Sequence, residues 1–165
     1  MSDVLRVADL DDSAIHSLLD QYSLQVEWIA DGDEIPDSFW GDEEAGIAGH
    51  TVYVRRDTPI HSLLHEMAHI VCMSAERRRE LRRDAGADDI EEEAVCYLQV
   101  LLADELAGVG RRRLMRDMDT WGYSFRVGGT ADWFESDSKR AANWLFEKAL
   151  ISESMQPTYR LRVDS

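Results

Sequence analysis

Long apolar runs are missing from this chain: no stretch approaches the roughly 18 apolar residues of a membrane-spanning helix. Met1 to Asp12 is polar and acidic, with neither a basic segment nor an apolar one, so no secretory signal is expected. Cysteine is scarce. Cys72 and Cys96 are the only two, each inside an apolar, helix-like stretch, and they read as buried inert thiols ahead of a disulfide or a ligand. These absences lead to an expectation of a cytoplasmic protein with reduced thiols. Basic residues are outnumbered, 18 against 33 acidic ones, for a net charge of -15. Such a chain repels phosphate, so neither nucleic acid nor an anionic membrane surface is an expected partner. The charge is compatible with a basic peptide or protein substrate and with attraction of a divalent metal; its bland reading is solubility. Repeats, low-complexity tracts and long linkers are also lacking, so residues 1–165 are expected to form one domain.

What is present is mostly helical periodicity. Ser13 to Tyr22 is amphipathic, with Asp12 or Ser13 as cap. Leu24 to Ile29 alternates as a strand does. Asp31 to Glu44 is an acidic loop punctuated by Pro36 and glycines, and Phe39-Trp40 within it suggests a tip folded back on the domain. Thr51 to Arg55 predicts a second strand, then Thr58 as a cap and Pro59 in the first turn of a helix. On that helix Ile60, Leu63, Leu64, Met67 and Val71 make a core stripe, bordered by His61, His65, Ala68, His69 and Cys72. Ser74 to Arg83 reads as a basic, solvated helix. Helices are expected over Ile90–Ala107, Arg111–Met118 and Ser138–Ile151, with a turn at Gly128-Gly129. The tail from Ser152 reads as loose, although Tyr159, Leu161 and Val163 alternate as a short strand would.

The motif with chemistry is His65-Glu66-Met67-Ala68-His69, an HExxH pentapeptide. Two histidines four apart share a helical face and can grip one zinc ion, while Glu66 from the neighbouring turn can take a proton from a water held there. Hydrolytic zinc sites usually have a third protein ligand. If the third were histidine, His16, His50 and His61 remain; His16 lies on a remote helix, and His61, two turns before His69 on the HExxH helix, is too far along the axis to close a tetrahedron comfortably. No HExxH-x-x-G-x-x-H extension follows His69, where Cys72 holds the nearest relevant position. A carboxylate fits better, and Glu91-Glu92-Glu93 opens a helix 22 residues after His69. Glu91 shares its face with Ala94, Val95, Leu98, Leu101 and Leu102 and is favoured. Glu92, over Val95, Cys96 and Gln99, is the alternative, and Glu93 is nearest the polar side. The bland reading is that all three are favourable acids in a helix's first turn.

A strand, an HExxH helix and a second helix opening Glu-x-x-Ala resemble the gluzincin metallopeptidases, and among them the small ImmA/IrrE-type peptidase-like domain. Glu91-Glu92-Glu93-Ala94, Tyr97, Leu101 and Leu102 fall in step with that family's second helix. The chain is also similar to a group of uncharacterised bacterial proteins with phrases like Phe39-Trp40-Gly41-Asp42 and Glu93-Ala94-Val95-Cys96-Tyr97-Leu98-Gln99. The likeness covers about Thr51 to Leu102. It implies a small α+β, zincin-like domain, mostly helical, with a short sheet of few strands beside the HExxH helix. It implies His65, His69 and Glu91 as zinc ligands and Glu66 as general base. Val95 stands where the family carries Asn or Asp, and Ala103-Asp104 replaces a frequent Pro. Losing a polar partner that orients a ligating histidine weakens such sites about 10–100-fold unless another group substitutes.

The expectation is a zinc-dependent metallopeptidase that hydrolyses a peptide bond with a zinc-activated water, Glu66 as base, and an oxyanion donor among His61, Tyr97 and Tyr123. The strand Thr51 to Arg55 is a candidate sheet edge for an extended peptide. The competing readings are a catalytically silent zinc-binding interaction module of the same fold, and a coincidental motif on a helical interaction domain.

Overall fold

Three short strands meet seven helices in the computed structural model, which describes residues 4–36, 43–80 and 88–164. A 3₁₀ turn (Val7–Asp9) leads into α1 (Asp12–Gln21), whose Ile15, Leu18 and Leu19 are buried as the periodicity predicts. Its N-cap is Asp11, one residue earlier than expected, and makes no side-chain cap bond. Asp12 instead accepts both Nη atoms of Arg56, at 2.5 and 2.8 Å.

β1 (Gln25–Trp28) pairs in parallel with β3 (Thr51–Val54), and β2 (Gly46–Ala48) pairs antiparallel with β3, giving the order β1-β3-β2. β3 is therefore the central strand. The expectation of an exposed edge at Thr51 to Arg55 is overturned, because strands occupy both of its sides. β2 is the strand that sequence patterning missed: three residues are too few to show alternation. The Phe39-Trp40 tip lies outside the described residues.

α2 (Ile60–Cys72) carries the HExxH motif and packs against β2 and β3 on one side and α4 (Asp89–Ala103) on the other. Pro59 is its N-cap residue, and no side chain caps the helix. Thr58 is not the cap: its Oγ1 accepts from Arg55 N at 2.9 Å and closes the turn after β3. Ile60, Leu63, Leu64, Met67 and Val71 are all fully buried, as the stripe requires. α4 presents Ala94, Val95, Leu98, Leu101 and Leu102 to the same core.

α3 (Ala75–Arg79) is shorter than predicted, and the last part of the predicted stretch, 81–83, falls outside the described residues. Nor is it wholly solvated. Arg78 is 6% exposed and donates to Ile70 O and Met73 O, carbonyls that the end of α2 leaves open, and to Arg162 O in the tail. α5 (Gly110–Trp121), α6 (Thr130–Ser136), which the sequence reading left out, and α7 (Lys139–Glu147) complete the chain. The tail is tied down. Arg162 N donates to Val71 O, Ala75 N to Asp164 O, and Lys148 pairs with Asp164. It forms no strand among the described residues. The fold is α+β, with about half of the described residues helical and the short sheet beside the HExxH helix. No helix among the described residues is long and apolar enough to cross a membrane.

Candidate metal centre

Helical spacing sets the first part of the site. His65 and His69 are one turn apart on α2, so their rings lie side by side, with centroids 4.8 Å apart. Donor atoms of His65, Glu66 and His69 all lie within 4.8 Å of one another, a group able to hold a metal ion. The second part comes from α4. Glu92 Oε1 stands 3.3 Å from Nε2 of His65 and 3.3 Å from Nε2 of His69. Ligand atoms at the corners of a tetrahedron with metal bonds of about 2.0–2.1 Å are separated by about 3.3–3.4 Å. The Glu92 oxygen thus lies at a ligand-like separation from each of the two nitrogens, and imidazole with carboxylate is a donor set that suits zinc.

Glu91, the carboxylate favoured from the sequence as third ligand, is not the one brought to the two histidines. Glu91 is buried, and its carboxylate is occupied by Arg77 through Oε2 and by Arg162 through Oε1, the latter at 3.0 Å. The core-facing carboxylate needed cations to be buried at all. A ligand must instead face a cavity, as Glu92 does with its side chain 48% exposed. Glu93, on the polar side, pairs with Arg140.

The orientation of His65 is fixed by a residue that sequence reasoning did not single out. Gln99 is fully buried, and its Nε2 donates to His61 O at 2.8 Å and to the Tyr123 oxygen at 3.3 Å. That leaves Oε1 as acceptor, 2.9 Å from His65 Nδ1, which must carry the proton. Nε2, 3.3 Å from Glu92 Oε1, then carries a proton when it bonds that carboxylate and offers its lone pair when the ring is neutral. Gln99 thus bonds His65 from α4 one turn after Val95, the position at which the resembled family carries Asn or Asp; Val95 itself is buried in the core. The sequence places Gln99 two turns after Glu92 on the same face of α4, but its meeting with His65 is a tertiary contact. Gln99→Leu is expected to weaken zinc binding about 10–100-fold in a competition titration with a chelator.

Electrostatics follow from the same contacts. Burial would raise the Glu92 carboxyl, but hydrogen bonds from His65 and His69 outweigh it and hold the group well below the usual carboxylate range. Burial opposes charge on His65, yet Tyr123, Cys96 and Glu92 outweigh it and lift the imidazole well above its ordinary value; Glu92 supplies the formal negative charge. Glu66 is raised, chiefly by burial, against the pull of His65 and His69 and with help from Glu44 and Glu92. A bound cation would draw protons off His65 and Glu66.

A cavity of about 490 Å³ opens beside these groups, lined by Ser62, His65, Glu66, Glu92, Cys96 and Tyr123, with Glu44, Trp121 and Gly122. Gly122 ends α5 with φ +108°, a left-handed conformation that glycine adopts without strain, and so turns Tyr123 back over His65. Of the expected oxyanion donors, only Tyr123 lines this cavity. His61 is 1% exposed, packed against Trp121 and Tyr123, and burial drives its pKa down to about 3. Tyr97 is a core residue stacked on Phe134, its hydroxyl on Met155 Sδ. Cys72 and Cys96 are free and buried, and burial pushes the Cys72 thiol well up, away from the thiolate a metal needs. His16 is remote, accepting from Trp28 Nε1.

No protein-family model matches the chain, and neither a curated protein nor a solved structure matches it.

Proposed function

We propose that this chain is a zinc-dependent, peptide-hydrolysing protein of the metallopeptidase kind, with His65, His69 and Glu92 holding the metal and Glu66 as general base. The reading rests on one observation above all: a carboxylate oxygen 3.3 Å from each of two imidazole nitrogens, beside an open cavity that Glu66 also lines. The resemblance to the ImmA/IrrE-type domain points the same way. Bound zinc would supply a Lewis acid that lowers the pKa of water to about 7 and polarises a substrate carbonyl.

The chain's own residues do the rest. Glu66, within the same cluster as the two histidines, accepts the proton of the attacking water and delivers it to the leaving amine. Gln99 holds His65 in the tautomer that leaves Nε2 free. Tyr123 is the candidate to stabilise the developing oxyanion. Its oxygen already accepts from Gln99, so its own proton is left for His61 Nδ1, 3.3 Å away, or for a group in the cavity. The substrate is a peptide or protein, and the buried free thiols suit a reducing, cytoplasmic setting.

Elemental analysis of the purified protein, followed by incubation with a broad peptide library, tests this. About one zinc per chain and a chelator-sensitive cleavage are expected. Absence of metal, or iron in place of zinc, would overturn the metal assignment. Zinc without cleavage would make the protein a silent zinc-binding module.

A further inference from the structure

One wall of the cavity is not used by the chemistry above. Glu44 lines it from the segment just before β2, and its position is secured twice. Its Oε1 accepts from the Trp121 indole N–H at 2.6 Å. The next residue, Ala45, donates its N–H to Ser62 Oγ at 2.9 Å, which pins this segment to α2 one turn before Glu66. Among the described residues lining the cavity there is no lysine or arginine, so Glu44 faces no internal cation there.

A second, independent observation shows what this corner accepts. The Arg6 guanidinium stands 5.8 Å over the Trp121 ring and 3.7 Å from Oε1 of Glu43. Within the chain itself, then, an aromatic face beside a glutamate already receives a guanidinium. The cavity repeats that pairing with the neighbouring glutamate, Glu44, beside Trp121 and Tyr123. Arginine suits it better than lysine, since a planar guanidinium can stack on a ring while it hydrogen-bonds a carboxylate.

We propose that Glu44 is a specificity-determining residue that makes the cleft select a peptide side chain bearing a positive charge, arginine foremost. This rests on the peptidase reading for the peptide, but the binding preference can be measured without cleavage. The probes are the Nα-acetyl amides of arginine, lysine, citrulline and norleucine, titrated into zinc-loaded protein by calorimetry. The arginine amide is expected to bind about tenfold more tightly than the citrulline amide, the scale of a charge-assisted bond in a partly open site.

Glu44→Gln keeps an acceptor for the Trp121 indole and removes the charge, and is expected to bring the two amides within about twofold of each other. Glu43→Gln, whose carboxylate serves Arg6 outside the cavity, is expected to retain the discrimination and so controls for a general disturbance of the segment. Equal binding of arginine and citrulline amides, or discrimination that survives Glu44→Gln, overturns the proposal. A library cut with no preference for basic residues also overturns it while leaving the peptidase reading intact. Discrimination lost with Glu44→Gln in a protein that cuts nothing supports it and removes the peptidase reading instead.

Discussion

Glu66→Gln is expected to lower the rate of peptide cleavage about 10²–10⁴-fold while one zinc per chain is retained. The substitution keeps size and hydrogen-bonding shape and removes the ability to accept a proton. Glu66 is held near the two histidines by its place on α2, and its pKa is raised mainly by burial, so a change to the neutral amide does not strand a buried cation. Metal content measured alongside steady-state kinetics separates the roles. A variant that lost zinc together with activity would make Glu66 a ligand, and a variant with unimpaired turnover would remove it from the chemistry.

The two adjacent glutamates of α4 are expected to fail in opposite ways. Glu92→Ala removes an oxygen that lies against both imidazoles, and the side chain is 48% exposed, so the fold tolerates its loss. Zinc affinity should fall by more than the 10–100-fold that loss of an outer partner costs, with the unfolding temperature of the metal-free protein close to wild type. Glu91→Ala leaves Arg77 and Arg162 without their shared carboxylate, and Arg162 is itself only 13% exposed. Breaking a buried pair on one side costs about 3–5 kcal/mol. For a chain of this size that lowers the unfolding temperature by roughly 10 °C. Scanning calorimetry of both metal-free variants, with zinc titrations of the folded protein, reads the contrast. A Glu91→Ala protein of normal stability that no longer binds zinc would reverse the assignment.

Much of the architecture was legible because local patterns carry it. The stripe Ile60, Leu63, Leu64, Met67, Val71 buries as its spacing demands, and β1 and β3 follow from alternation. Elements without a long pattern were not legible. β2 has three residues and α6 seven, too short for a period to declare itself. The basic stretch after α2 misled for a different reason. Arginine is usually a surface residue, and nothing local reveals that Arg78 will turn inward to the open carbonyls of α2. The tail shows the same limit. Its hold on the fold consists of bonds such as Arg162 to Glu91, 71 residues apart in the chain.

The sequence by itself determined that two histidines and a glutamate share one helical face, because that follows from the helix repeat alone. It also narrowed the third ligand to a run of acids on the next long helix. Only the tertiary structure distinguishes the surroundings of Glu91 from those of Glu92. Both lie on faces of α4 that a helical projection admits, and the choice depends on where other segments bring their charges. Arg77 and Arg162 neutralise the core-facing carboxylate, while the cavity leaves the next one beside His65 and His69. The same holds for Glu44 and Gln99. Their roles arise from contacts with Trp121 and His65, which are 77 and 34 residues away, and no local periodicity encodes such a meeting.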